Sequence, residues 1–286
     1  MSFDKVKISL KDVSYIYSKG TPFEIKALDH VNLDIHEGTI TGIIGHTGSG
    51  KSTMVQLFNG LTKPMEGRIL LDGVDIWEEP KEIGKIRFRV GLVMQYPEYQ
   101  LFEETVEADI AYGPKNMGLD EGEIHQRVVD AARFVGLESD MLTKSPFDLS
   151  GGQKRRAALA GIIAMRPEVL VLDEPAAGLD PMGRDAILNG ICNYQKETGA
   201  TVIIVSHSME DMAKYCDEII VMDHAKVRMN GPRDDIFARS DELIDAGLDI
   251  PEITKLVWLL RSRGIEIDRS IYTVDRAEEA IAKLFR

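Results

Sequence analysis

The chain has 286 residues, enough for one large domain with an appendage or for two domains. With 44% hydrophobic and 28% charged residues it should bury a sizeable core, which excludes a disordered chain. A formal net charge of −13 excludes a general binder of phosphate backbones, so no nucleic acid is expected as a partner, although a few amides and a lysine can still hold one polyanion locally.

The N-terminal stretch MSFDKVKISLKDV contains an acid and no apolar segment, so no secretory signal is read there. VKISLKDVSYIY and ALDHVNLDI alternate as strands do and flank a glycine-containing turn. TITGII, residues 39–44, is a short buried-strand run that leads into a glycine-rich turn and then the helical pattern STMVQLFNGL, unbroken until Gly60. GRILLDG and RVGLVMQ are further strand candidates.

From about residue 104 to 166 the pattern is helical. EGEIHQRVVDAARFVGL sets Ile124, Val128, Ala131, Ala132 and Val135 on one face, and GQKRRAALAGIIAM is a second helix. Strands return in EVLVLDEP and TVIIVSH, separated by the helix-compatible GRDAILNGICNYQKETG. This order predicts an α/β nucleotide-binding core interrupted by a helical subdomain at about 96–166.

After Gly231-Pro232 the pattern changes. PEITKLVWLLRSRG has Pro251 at its start, Ile253, Leu256, Val257 and Leu260 on one stripe, and Gly264 as a stop. SIYTV then leads into DRAEEAIAKLF, where Asp275 and Glu278 have capping-box spacing. Residues 232–286 read as a small C-terminal α/β appendage for packing or subunit contact, after a main domain of 1–231. Cys192 and Cys216 have no partner at metal spacing and read as reduced thiols. No apolar run approaches the ~18–20 residues that cross a bilayer.

Three segments carry chemistry. GHTGSGKS, Gly45–Ser52, fits the phosphate-loop pattern between a strand and a helix: the glycines let the amides point inward, Lys51 reaches the β/γ-phosphates and Ser52 ligates Mg²⁺. The expected nucleotide contacts are Gly45, His46, Thr47, Gly48, Ser49, Gly50, Lys51, Ser52 and Thr53, with no catalytic role for His46. In EVLVLDEP, Asp173 and Glu174 end a strand, Asp173 to hold the Mg²⁺ shell and Glu174 to act as general base; alone, the pair would read as acids capping a strand. In LSGGQ, Ser150 is a plausible N-cap and Gly151 and Gly152 permit an anion's approach, though such a turn alone is more often an ordinary cap. Two phosphate cradles imply either two different nucleotides or two chains that share them. Past the next strand lies His207, by itself more often a packing residue, and AAGLDP carries Asp180 in a turn after Glu174.

Taken in order, the phosphate loop, LSGGQ, VLVLDEP, AGLD and SH resemble the ATP-binding-cassette (ABC) ATPases over about residues 6–231. That resemblance implies a P-loop NTPase fold: a RecA-like core with an antiparallel β-subdomain and an α-helical subdomain. It assigns Tyr17, with Tyr15 second, to adenine stacking, Gln95 to sensing Mg²⁺ and the attacking water, and His207 to the γ-phosphate. Ser150, Gly151, Gly152 and Gln153 would close on ATP held by the opposite subunit of a head-to-tail dimer.

More narrowly, MQYPEYQLFEETVEADIAYGPKNMGL, SGGQKRRAALAGIIAM and DEPAAGLDPMGR are similar to the ATPases of energy-coupling-factor transporters, in particular the second of two paralogous subunits. The resemblance implies a peripheral subunit on the cytoplasmic face of a prokaryotic cell membrane that uses ATP and Mg²⁺. It would pair with a paralogue or a second copy, drive a transmembrane coupling protein and, through it, a substrate-binding membrane subunit for a vitamin or transition-metal ion. The appendage would stabilise the dimer. Tyr96, Pro97, Tyr99, Leu101 and Phe102 would offer a contact surface to a cytoplasmic helix of the membrane partner, and Glu103, Glu104 and Glu107 would meet its basic residues; Leu101 and Phe102 could equally pack the helical subdomain. The alternatives are another ABC transporter class or a non-transport ABC ATPase. DNA-maintenance ATPases carry a long insert for which the span 51–149 is too short, and a P-loop nucleotide kinase has no need of LSGGQ.

Overall fold

The structure is a computed structural model describing residues 5–284. The first four residues of the stretch read for a secretory signal, Phe285 at the end of the expected last helix, and Arg286 lie outside the described residues. The first third of the chain runs β1 (Val6–Tyr17), β2 (Ile25–His36), β3 (Ile40–Ile44), α1 (Lys51–Phe58), β4 (Glu66–Leu71), β5 (Val74–Asp75), α2 (Ile83–Arg89) and β6 (Val90–Val93). The middle is α3 (Val106–Asn116), α4 (Glu121–Val135) and α5 (Gly151–Ile163). There follow β7 (Val169–Asp173), α6 (Pro181–Thr198), β8 (Thr201–Val205), α7 (Met209–Tyr215), β9 (Glu218–Asp223) and β10 (Lys226–Pro232), then α8 (Arg233–Phe237), α9 (Ser240–Asp245), α10 (Glu252–Ser262) and α11 (Val274–Leu284).

Two sheets organise these elements. One is antiparallel with order β2-β1-β4-β5; the other has order β10-β9-β3-β8-β7-β6 and is parallel except for the β10 edge. The hairpin to β5 was not anticipated, although Asp72 (φ 51°) and Gly73 (φ 80°) form the positive-φ pair that closes a two-residue turn.

Strands β3, β7 and β8 are apolar throughout because both faces of the parallel sheet are covered. The period of two divides their side chains. Val169, Val171, Ile203 and Val205 join Ile43 under the antiparallel sheet and α1, whereas Leu170, Leu172, Val202 and Ile204 join Ile44 against the helices of the opposite face. On that face α4 contributes Val128, Ala131, Ala132 and Val135, as its spacing predicts, with Ile124 partly buried. Asp120 caps α4 and Gly136 ends it in the left-handed region, with φ 68°.

The appendage departs from the expectation in three ways. Among described residues 233–284 there are four helices and no strand: Ile271 and Tyr272 of SIYTV are buried sideways against neighbouring helices instead of pairing. Leu256 is exposed and Thr254 is buried, so the inward stripe of α10 is Ile253, Val257 and Leu260 with Thr254 beside it. Asp275 falls inside the first turn of α11, which starts at Val274, so it is not a cap. Hydrophobic packing does not break at Pro232. Ile236, Phe237, Leu243 and Tyr272 continue the main core, and only Val257, Ile267, Ile271 and Ala277 form a separate small cluster.

Two glycines give opposite expectations. A Cβ on Gly190 would stand 2.3 Å from the carbonyl oxygen of Phe134, because α4 and α6 cross there, whereas one on helical Gly84 would meet nothing within 4 Å. Gly190→Ala should therefore cost roughly 1–3 kcal/mol through overpacking, and Gly84→Ala should stabilise by up to about 1 kcal/mol. Chemical denaturation of both variants checks the order; a stable Gly190→Ala would contradict the described helix crossing.

Candidate functional site

Parallel register puts the site together. Ile43 pairs with Val205, and Val205 pairs with Asp173, so three strands end side by side at one carboxyl edge of the sheet. The segments that follow are the phosphate loop, Glu174 and His207. This edge is where open α/β sheets bind ligands.

The phosphate loop is held in positive φ at Gly45 (154°), Gly48 (81°) and Gly50 (106°). At Gly50 the requirement is steric as well, since a Cβ would stand 2.3 Å from the Ala27 carbonyl oxygen. The loop opens on α1, whose first residue is Lys51. Its Nζ donates to the carbonyls of Gly45 (2.5 Å) and His46 (3.0 Å), and its buried side chain has its pKa lowered by desolvation, against the pull of Glu174 and Asp173.

Asp173 ends β7. Burial raises its pKa, and the Ser52 hydroxyl, donating to it, opposes the rise. Glu174 turns back with φ 53° while its N–H donates to Val205 O at 3.0 Å, a left-handed conformation costing of order 1–3 kcal/mol that swings the carboxylate into the cavity. Burial first, and then the Asp173 charge, push Glu174 up to about 7. His207 Nε2 lies 3.5 Å from Glu174 Oε1, within reach of charge interaction but without hydrogen-bond alignment, and that buried oxygen has no hydrogen-bond partner among the described residues. Desolvation and Lys51 hold the His207 pKa below the usual histidine value.

These groups face a cavity of about 510 Å³, which Tyr17, Thr47, Gly48, Gly50, Ser52, Thr53 and Gln95 also line. Tyr17 is 39% exposed and its hydroxyl lies 3.1 Å from Thr53 Oγ1, while Tyr15 packs against the core and meets Tyr17 edge-on. Three residues of the expected set stand apart. Gly45 and Ser49 lie beneath the loop, Ser49 fully buried, and the His46 side chain turns away to Asp223, with Nε2 2.9 Å from Oδ1. Ile25, Ala27 and Val205 complete the wall. They are apolar strand residues that no chemical pattern distinguishes in the sequence.

The signature segment is elsewhere. Ser150 caps α5 with a reciprocal box: its hydroxyl accepts from Gln153 N (3.4 Å) and its own N–H donates to Gln153 Oε1 (2.9 Å). Gly151 is exposed, and Ser150 and Gly152 line a second cavity of about 630 Å³ with Arg156, Leu179, Asp180 and Met182. Asp180, the α6 N-cap, accepts from Gly183 N at 2.7 Å and belongs to this second surface. The two cavities share no lining residue.

One buried side chain links them. Arg155, 4% exposed, grips Glu98 with Nε (3.0 Å) and Nη2 (2.7 Å), donates through Nη1 to the Ala177 carbonyl and lies over the Tyr96 ring. It joins α5 to the segment after Gln95 and to the stretch between Glu174 and Asp180. Sequence reasoning missed it because nothing marks a single arginine in KRR as the buried one.

An anion cradle with an ammonium group, two acids and a histidine on one sheet edge, with a serine-capped helix N-terminus at a second cavity, defines an ABC-type P-loop nucleotide-binding domain. The ABC transporter family matches over residues 28–177. The energy-coupling factor transporter ATP-binding protein EcfA2 of Clostridium acetobutylicum is 53% identical over 278 residues, 97% of each chain. Among solved structures, cbiO1 from Clostridium perfringens, part of the ABC transporter complex cbiONQ, is 40% identical at TM-score 0.76, over 89% of this chain and 99% of that one. The ATP-binding cassette MJ0796, a dimer in a post-hydrolysis state with ADP and Pi, is 29% identical at TM-score 0.71, over 79% and 98%. The chain belongs to the ABC transporter family and, within it, to the ATP-binding proteins of energy-coupling factor transporters. It is an ATP-binding subunit whose ATPase activity is coupled to transport.

Glu174→Gln gives a two-part expectation. A carboxyl whose folded pKa is raised opposes folding once pH exceeds its unfolded value of 4.5. The nucleotide-free variant should therefore gain roughly 2–3 kcal/mol over the wild type at pH 8 and nothing at pH 4. Its turnover should fall by about 10²–10⁴-fold with ATP binding retained. Unfolding curves at the two pH values and steady-state hydrolysis in the assembled complex check both parts; unchanged hydrolysis would remove Glu174 from the role of base.

Proposed function

We propose that this chain is one of two ATPase subunits powering an importer for a vitamin or transition-metal ion in a prokaryotic membrane. Two half-sites on one chain that share no lining residue carry this reading. ATP seated on the phosphate loop of one subunit meets Ser150, Gly151, Gly152 and Gln153, with Asp180, of another, and the pair holds two nucleotides head to tail. The partner is a paralogue, with a second copy of this chain as the variant of the same arrangement. Tyr17 stacks on adenine, and the Lys51 ammonium with the amides of Thr47, Gly48 and Gly50 to Thr53, the loop residues that line the cavity, binds the phosphates.

The donor set beside the phosphates is all oxygen: the Ser52 hydroxyl, the Asp173 carboxylate and the Gln95 amide oxygen. It therefore fits a hard cation such as Mg²⁺. Bound there, Mg²⁺ neutralises charge on the β- and γ-phosphates. Glu174, with its pKa near 7 and a free oxygen, accepts the proton of the attacking water. His207, neutral at physiological pH and beside that oxygen, contacts the γ-phosphate and reports its presence.

Residues 95–114 form the mechanical output. After Gln95 the chain passes Tyr96 (φ 56°) into a 3₁₀ turn, Pro97–Gln100, and α3 begins at Val106. Leu101 is partly buried against the core, while Phe102 is 59% exposed and meets the Tyr112 ring edge-on. Together with Phe88, Gly113 and Met165 they border a groove of about 340 Å³, and in the same stretch of chain Tyr99 and Glu104 are exposed and Glu103 and Glu107 half-buried. Glu107 already lies 3.4 Å from His125 Nδ1, so Glu103 and Glu104 are the better candidates to meet basic residues. A cytoplasmic helix of the transmembrane coupling protein seats here. That protein in turn works on the substrate-binding membrane subunit.

No helix among the described residues is long and apolar enough to cross a membrane, which suits a peripheral subunit on the cytoplasmic face. The domain of 1–231 carries the chemistry, and 232–286 steadies the dimer. Exposed Leu256, Trp258 and Leu259 on α10 support that assignment. Charge reversal at Glu103 and Glu104 should leave ATP binding intact and cut transport in reconstituted vesicles at least tenfold relative to hydrolysis. Normal transport by that variant would exclude the two acids from coupling.

A further inference from the structure

Outside the nucleotide cavity one cluster of ligating side chains is unaccounted for. His46, the second residue of the phosphate loop, meets Asp223 and His224 at the β9–β10 turn. His46 Nε2 lies 2.9 Å and His224 Nδ1 2.6 Å from the same oxygen, Asp223 Oδ1, and the three ligating atoms fall within 4.8 Å of one another. The rings approach edge to face with centroids 5.3 Å apart.

The hydrogen bonds around the cluster aim it. His46 Nδ1 is 3.1 Å from the Thr47 carbonyl and Nε2 is 2.9 Å from Asp223 Oδ1; both oxygens accept, so each ring nitrogen donates here, and a metal ion would take the place of the Nε2 proton while Nδ1–H stays on the carbonyl. Metal-bound histidines are oriented in this way, with the distal N–H held by a carbonyl. Asp223 is oriented through its other oxygen, Oδ2, by Arg228 Nη1 at 3.1 Å. His224 sits in the turn at φ 45°, followed by Ala225 at φ 66°, and its side chain is 87% exposed, which leaves one side of the cluster open to water.

We infer that His46 Nε2, Asp223 Oδ1 and His224 Nδ1 form a binding site for a borderline divalent transition-metal ion of the Zn²⁺ class, with water completing the coordination shell. Two imidazoles and one carboxylate suit such an ion better than Mg²⁺ or Ca²⁺, which take oxygen ligands. Bonds of about 2.0–2.1 Å around a tetrahedral ion set its ligands roughly 3.3 Å apart, so each imidazole opens from the carboxylate by about half an ångström while the two ring nitrogens, within 4.8 Å of one another, settle to the same spacing, and the exposed His224 can make most of that shift. The nearby positive charges of Arg228 and Lys51 set an upper limit on affinity. The site ties the phosphate loop to the turn between β9 and β10, and the backbone carbonyl of His46 is one of the two that hold Lys51. Metal bound there is therefore coupled to nucleotide affinity, and by the same factor in both directions.

Titration of the full chain with Zn²⁺ against a chromophoric chelator, and with Co²⁺ by visible absorption, tests the site. The wild type should bind one ion per chain with micromolar or tighter affinity and give the intense Co²⁺ bands of a four- or five-coordinate site. His224→Ala and Asp223→Asn should each weaken binding at least tenfold and abolish those bands. Zn²⁺ should raise the unfolding temperature of the wild type and not that of His224→Ala, a variant at an exposed turn position that keeps the fold and the ATPase activity. A Cys192→Ser control should bind as the wild type does. Equal affinity in the wild type and His224→Ala, or a Co²⁺ spectrum no different from that of the aqueous ion, would overturn the assignment.

Discussion

Parallel pairing of β3, β8 and β7 is the constraint on which the site depends. Because Val205 is in register with both Ile43 and Asp173, three chain reversals emerge at one edge. The residues just beyond them are brought to one cavity although they lie far apart in the sequence. The alternating faces of these strands bind the antiparallel sheet on one side and the helices on the other. A slip of one residue would exchange the two faces and unmake both cores as well as the site.

The site stores its reactivity as unfavourable burial. Asp173 and Glu174 are desolvated side by side, Lys51 is desolvated close by, and one Glu174 oxygen has no hydrogen-bond partner among the described residues. This burial costs the folded chain stability and pushes Glu174, the proposed general base, up to about 7. The buried Arg155–Glu98 pair has the opposite character: it is fully hydrogen-bonded, and breaking one side would strand a charge. It gives the segment after Gln95, the signature helix and the stretch beyond Glu174 a common rigid contact.

Much of this was legible in the sequence, for physical reasons. The apolar runs VLVLD and TVIIV are short and bounded, the signature for strands covered on both faces, and GHTGSGKS carries its own backbone requirements. The helical face Val128, Ala131, Ala132 and Val135 was equally plain. What could not be read depended on distant partners. His46 lies within the phosphate loop by sequence, yet its ring is captured by Asp223, 177 positions away. Asp180 follows Glu174 closely but belongs to the signature surface, because the α6 cap turns it there. The α10 stripe was misread at Leu256 because the appendage packs on two sides, so a single period could not decide between Leu256 and Thr254.

The account stands on the separation of the two half-sites in one chain. Its most direct test is ATP turnover per chain as a function of protein concentration, with mass measured by light scattering in the same samples, for this chain alone and with the proposed paralogous partner. Turnover should be negligible where the chain is monomeric although ATP still binds, and should rise with the dimer fraction or on addition of the partner. Full turnover by a verified monomer would contradict a shared site.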